Sequence, residues 1–123
     1  MELRDYFENT KGLGVLATAD SSGKVGIALY ARPHVMDDGT IAFIMGDRLA
    51  HKNIQSNPHA AYLFVEEGTS YKGKRLYVTK IKEEENRELI DKLSRKKYAD
   101  EDKPKFLVFF RLDKALPLVG DEE

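Results

Sequence analysis

Apolar and polar residues alternate along most of this chain, and the alternation predicts strands far more often than helices. Within residues 25–35 ("VGIALYARPHV") the side chains of Val25, Ile27, Leu29 and Ala31 share one parity and therefore one face. Further strands are predicted at residues 14–19 ("GVLATA"), 40–45 ("TIAFIM"), 60–66 ("AAYLFVE") and 74–82 ("KRLYVTKIK"). A sixth, residues 105–112 ("KFLVFFRL"), is apolar at both parities, which suits the centre of a sheet or an interface. The stretches "DSSG" (20–23) and "DDG" (37–39) are turn sequences, and the second predicts a hairpin between the second and third strands. Pro33 cannot donate to a ladder and predicts an edge or a bulge late in the second strand.

Helical spacing appears in short pieces. Leu3, Tyr6, Phe7 and Thr10 fall on one face before Gly12. Residues 50–56 form a second short helix, stopped by Asn57-Pro58. Glu83, Glu84, Glu85 and Glu88 lead into a third, with Leu89, Ile90 and Leu93 on its apolar face and Lys92, Arg95, Lys96 and Lys97 in its final turns. An acidic start and a basic end complement the helix dipole. Six strands with hairpin turns and few helices predict a mainly β chain, an antiparallel barrel with peripheral helices. With no repeat, low-complexity tract or linker in 123 residues, a single domain over residues 1–123 is expected.

Composition narrows the function. The chain is 41% hydrophobic and 33% charged with a net charge of −1, a globular balance that implies no general attraction to nucleic acid or to an anionic membrane. Any anion site must be local. The absence of cysteine removes disulfides, thiol catalysis and Cys-ligated metal, and fits a reducing cytoplasm. The opening "MELRDYFENTKG" carries charges throughout, unlike a secretory signal. No apolar run approaches the ~20 residues of a membrane span. There is no G-x-G-x-x-G, Walker loop, H-E-x-x-H or G-x-S-x-G. His34, His51 and His59 form no metal triad by spacing. The acidic runs 83–85 and 100–102 read as solvated segments rather than a calcium site.

The densest chemistry lies in residues 39–64, "GTIAFIMGDRLAHKNIQSNPHAAYLF". Arg48, His51 and Lys52 gather where a loop enters the second helix, with Asn53 beside them. A helix start with open N–H groups and nearby cations is a seat for a phosphate. The plain alternative is a set of solvated loop charges. The preceding strand places Ile41, Phe43 and Met45 on one face and Ala42 and Ile44 on the other. One face must be core, while the backbone near Ile44 to Gly46 can edge a flat ring, since Gly46 permits close approach. Arg32 is either a surface cation or a contact for a ligand's hydroxyls or phosphate. A phosphate seat beside an apolar slot suits a flavin mononucleotide, FMN.

Residues 37–64, "DDGTIAFIMGDRLAHKNIQSNPHAAYLF", resemble the pyridoxamine 5′-phosphate oxidase-like FMN-binding split barrels. The likeness covers residues 14–82 well and the remainder by general layout. It implies a six-stranded antiparallel split β-barrel and FMN as cofactor, with deazaflavin and haem binders among related barrels. It implies that His51 and Lys52 hold the phosphate with Asn53 at the neighbouring helix position, Lys52 foremost; Arg48, from the loop reading, would help to neutralise it. It assigns Phe43, Ile44 and Met45 to the ring and Tyr30, Ala31 and Arg32 to ribityl and ring. It also implies a homodimer with the cofactor at the interface, residues 106–112 supplying interface surface. The Arg-rich terminal segment of the vitamin B6 oxidases is missing from "RLDKALPLVGDEE", so the substrate stays open. An FMN-dependent oxidoreductase is the leading expectation, and a non-enzymatic flavin- or haem-binding module the alternative. No residue is singled out as catalytic.

Overall fold

The computed structural model describes residues 2–68, 70–94 and 103–120. Its elements run α1 (Leu3–Asn9), β1 (Gly12–Ala19), β2 (Val25–Leu29), β3 (His34–Val35), β4 (Ile41–Gly46), α2 (Leu49–Ser56), β5 (His59–Glu66), β6 (Gly73–Glu84), α3 (Arg87–Leu93) and β7 (Lys105–Pro117). The strands form one antiparallel sheet in the order β2-β1-β5-β6-β7-β4-β3.

This sheet is strongly curled. Strands β5 and β4 are separated by β6 and β7, so on a flat sheet they would lie ~14 Å apart. Yet the rings of Tyr62 on β5 and Phe43 on β4 have centroids 5.0 Å apart. Leu16, Ile41, Met45, Phe64, Leu76, Val108 and Phe110 join them in one core cluster on the concave side. Phe7 of α1 and Ile54 of α2 belong to the same cluster. Bulges in the β6–β7 ladder at Tyr77/Val78 and Lys80/Lys82 add local bend and twist. The mainly β split-barrel class expected from the sequence is therefore present, with seven strands among the described residues rather than six.

The extra strand comes from the segment 25–35. The alternation there predicts one strand, but Tyr30 to Pro33 leave the sheet and split it. The first piece, β2, pairs with β1 at one end of the sheet; the second, β3, pairs with β4 at the other. The hairpin at "DDG" thus joins β3 and β4 only, with Gly39 at φ 87° in its turn. Pro33 sits in the crossover, where its missing N–H breaks no ladder.

Strand β7 is interior, between β6 and β4. Val108 and Phe110 face the main core, while Leu107 and Phe109 pack under Ile90, Leu89 and Leu93 of α3. Both faces are covered by the chain itself, so residues 106–110 do not supply the interface surface expected of them. Helix α3 starts later than predicted. Glu83 and Glu84 belong to β6, and Asn86 caps the helix by accepting from the Leu89 N–H. The predicted basic final turns at Arg95, Lys96 and Lys97 and the acidic run at 100–102 lie outside the described residues.

Candidate functional site

The curl brings the two ends of the sheet toward each other without pairing them. A groove of about 920 Å³ lies between β2 on one side and β4 on the other, with the crossover from Tyr30 to Arg32 along it and the start of α2 at one end.

The crossover is held at several points. The Tyr30 N–H donates to the Gly14 carbonyl (3.0 Å), and the Tyr62 hydroxyl donates to the Tyr30 carbonyl (3.1 Å). Gly14 is required here, because a Cβ would lie 1.9 Å from the Tyr62 hydroxyl oxygen. The Tyr30 ring stands edge-on to Phe43, with centroids 6.0 Å apart. Arg32 donates through Nη1 to the carbonyls of Phe7 (2.7 Å) and Thr10 (2.9 Å). It therefore closes the end of α1 while also lining the groove.

On the far wall, β3 pairs with β4 only at Ala42 and Ile41, so Phe43 to Gly46 have a ladder partner in β7 alone. Their other edge faces the groove, which Phe43, Ile44 and Gly46 line. Met45 points into the core and is fully buried.

Helix α2 crosses the end of the groove. It seats against β2 at Gly26, where a Cβ would come 3.0 Å from Leu49 Cδ2. Asn53, buried, ties it to β1 by donating to the Thr18 hydroxyl (3.0 Å). Arg48 is its N-cap, with no side-chain cap and no acidic residue in the first turn. The positive end of the helix thus opens toward the groove with no carboxylate in its own first turn. Arg32, Arg48 and Lys105 line the groove together with the buried His34, and among the described residues no Asp or Glu does.

The other predicted residues lie elsewhere. Ala31 lines the groove, whereas Lys52 is exposed and, like His51 and Asn53, is not part of the lining. His51 is buried and stacks on Phe106, with ring centroids 3.9 Å apart and an interplanar angle of 9°. Its Nε2 meets Glu83 Oε2 at 2.9 Å. Gln55 Nε2 (2.8 Å) and Lys80 Nζ (2.7 Å) donate to the other carboxylate oxygen. Partial burial pushes the Glu83 carboxyl up, but the bonds from Lys80, Gln55 and His51 outweigh it and hold the pKa down at about 2. This cluster fixes the side of α2 that faces away from the groove.

Of the residues expected at the site, Tyr30, Ala31, Arg32, Phe43, Ile44 and Arg48 line the groove together. Gly26, His34, Leu49, Ala50 and Lys105 line it too, without having been expected there. Leu49 and Ala50 carry no chemical signature, and Lys105 reaches the site only through the long-range pairing of β4 with β7.

The family model for pyridoxamine 5′-phosphate oxidase matches residues 2–113. Among solved structures, HupZ of group A Streptococcus is 20% identical with a TM-score of 0.76, covering 98% of this chain and 94% of its own. An FMN-binding protein from Syntrophomonas wolfei is 22% identical with a TM-score of 0.75, covering 95% and 84% respectively. An F420 reductase is 15% identical with a TM-score of 0.68, covering 94% and 97%. At these identities the likeness is one of fold. No curated protein matches this chain in sequence.

Proposed function

The chain belongs to the pyridoxamine 5′-phosphate oxidase family, and from that premise we propose that its groove binds FMN and that the protein is a homodimeric, FMN-dependent oxidoreductase of the cytoplasm. One observation carries this reading. A single groove combines an open strand edge with three cations, and no carboxylate lines it among the described residues. The edge of β4 from Phe43 to Gly46 offers backbone donors and acceptors to the rim of a flat ring. Tyr30 and Ile44 supply apolar surface beside it. Arg48 and the first N–H groups of α2 suit a phosphate. When bound, the isoalloxazine supplies hydride or electron transfer; the protein positions it and tunes its surroundings. The Syntrophomonas neighbour, an FMN-binding protein by name, supports the choice of cofactor.

The dimer rests on the outer face of the sheet. Val25, Ile27 and Leu29 of β2 are 77%, 74% and 70% exposed. They stand opposite Ala19, Ala17 and Val15 of β1, and Ala17 and Val15 in turn face Ala61 and Leu63 of β5. The result is a continuous apolar surface across three strands, of the kind that marks an interface. Ile27 and Leu29 also line the groove, so a second copy seated there would stand at its open side.

The test is an absorption spectrum of the protein before and after incubation with FMN and removal of excess. A retained flavin spectrum, bleached on addition of NADH or NADPH, is the expected result. A protein that retains no flavin would overturn the reading, and retention without reduction would reduce it to a flavin-binding module.

A further inference from the structure

We propose that His51 is a positioning residue of the groove and its proton switch: a proton on its ring tightens the clasp behind the start of α2 and strengthens the binding of an anionic ligand. The ligand half of the inference rests on the flavin reading above; the clasp does not.

The stack of His51 on Phe106 stands directly behind the groove wall. Ala50 and Lys105 line the groove, and His51 and Phe106 are the next residues along α2 and β7. With ring centroids 3.9 Å apart, the stack ties the first turn of α2 to the start of β7. The far end of α2 has ties of its own: Asn53 to Thr18, Ser56 to the Ser21 N–H and Asn57 to the Asp20 carbonyl. At the groove end a polar tie is made by His51, to Glu83 of β6.

The hydrogen bonds fix where the switching proton goes. The Glu83 carboxyl is held ionised across the neutral range, so its Oε2, 2.9 Å from His51 Nε2, accepts, and Nε2 carries a hydrogen in the neutral ring. Gln55 Nε2 is 3.2 Å from the same nitrogen, but its amide hydrogens go to Glu83 Oε1 and the His51 carbonyl. A second proton therefore enters at Nδ1 and leaves the Nε2 contact in place. It turns that hydrogen bond into an ion pair and makes the ring a cation over the face of Phe106.

Histidine is the side chain whose charge ordinarily changes between pH 5 and 8. The charged groups around His51 on β6 are Glu83 and Lys80, which donates to the same carboxylate at 2.7 Å; Lys82 and Glu84 beside them pair with each other. Strand β7 presents the uncharged Phe106 ring, and on α2 the contact is Gln55. Glu83 and Lys80 cancel, so protonation leaves the cluster with one positive charge. Arg48, Lys52 and Lys105 on the flanking segments oppose that charge, and an anion in the groove offsets their opposition. By reciprocity the anion favours the proton and the proton favours the anion.

The experiment titrates the full chain with FMN by fluorescence at pH 6, 7 and 8, for the wild type and for His51→Gln. The phosphate's own ionisation is common to both, so the ratio of wild-type to variant affinity isolates the switch. That ratio should rise about 5- to 10-fold from pH 8 to pH 6; a purely structural role would leave it constant. In parallel, NMR of the ligand-free chain follows the His51 ring proton, assigned by its loss in His51→Gln, and the protection of the α2 amides against exchange. Protection should rise as the ring gains its proton, and Glu83→Gln should move the ring's midpoint to lower pH. Circular dichroism establishes that each variant is folded. A constant ratio in a protein that binds FMN overturns the switch and leaves the flavin reading standing. No FMN binding at any pH overturns the flavin reading and the ligand half with it; the clasp then stands if amide protection follows the His51 titration and falls if it does not.

Discussion

Strands β7 and β2 are both rich in apolar side chains, and they end in opposite environments. In β7, Leu107, Val108, Phe109 and Phe110 are all 5% exposed or less. In β2, Val25, Ile27 and Leu29 are each at least 70% exposed. The cause is place in the sheet rather than hydrophobicity. Strand β7 has ladder partners on both sides, the core on one face and α3 on the other. Strand β2 ends the sheet, and its outer face is left exposed by the described residues. An apolar strand therefore states that something must cover it, without stating what. The chain covers β7 itself and leaves the apolar face of β2 exposed, the face proposed above for a second copy.

The contrast can be broken most forcefully at β7. Phe110→Ala should cost about 3–5 kcal/mol, measured by urea denaturation, because Phe110 is fully buried and edge-packed on Phe43. A loss below ~1 kcal/mol would mean that β7 is not the covered strand described here.

Next in size is the clasp joining α2 to β6 beside β7. Glu83 has its pKa depressed from 4.5 to about 2. A depressed carboxylate contributes stability that is fully present above its unfolded pKa and lost as pH falls through the folded value. Stability should fall between pH ~4.5 and ~2, by up to about 3 kcal/mol. Glu83→Gln should flatten that part of the pH–stability curve; an unaltered acid limb would remove the clasp from the account.

At β2 the effect on the isolated fold should be smallest. Ile27→Lys replaces an exposed side chain on an edge strand, where Lys is well tolerated, so chain stability should shift by no more than about 0.5 kcal/mol. Sedimentation should instead show dissociation of the dimer, together with weaker flavin retention. A variant that stays dimeric would move the interface off this face.

Much of the fold was legible because its signals are local. Alternation marked the strands, Asn57-Pro58 stopped α2, and the Asp-Gly turn closed the β3–β4 hairpin, each within a few residues. The error in the segment 25–35 was also instructive. Its alternation runs unbroken, but Tyr30 is anchored by Gly14 and Tyr62, and no pattern inside the segment reports bonds to residues 16 and 32 positions away.

The candidate site divides along the same line. The sequence by itself determined most of the elements, though not the break between β2 and β3, and it determined that a basic cluster stands at the start of α2 and that Gly46 leaves room beside it. These follow from residue type and short-range spacing. Only the tertiary structure decided which cations share a groove. A helix turn of 100° per residue sends His51 to Phe106 and Glu83 and leaves Lys52 outside the lining, while the ladder between β4 and β7 brings in Lys105 from 59 positions away. Pairing across the sheet is settled by the packing of the whole core, and that energy is spread over contacts no single stretch of chain contains.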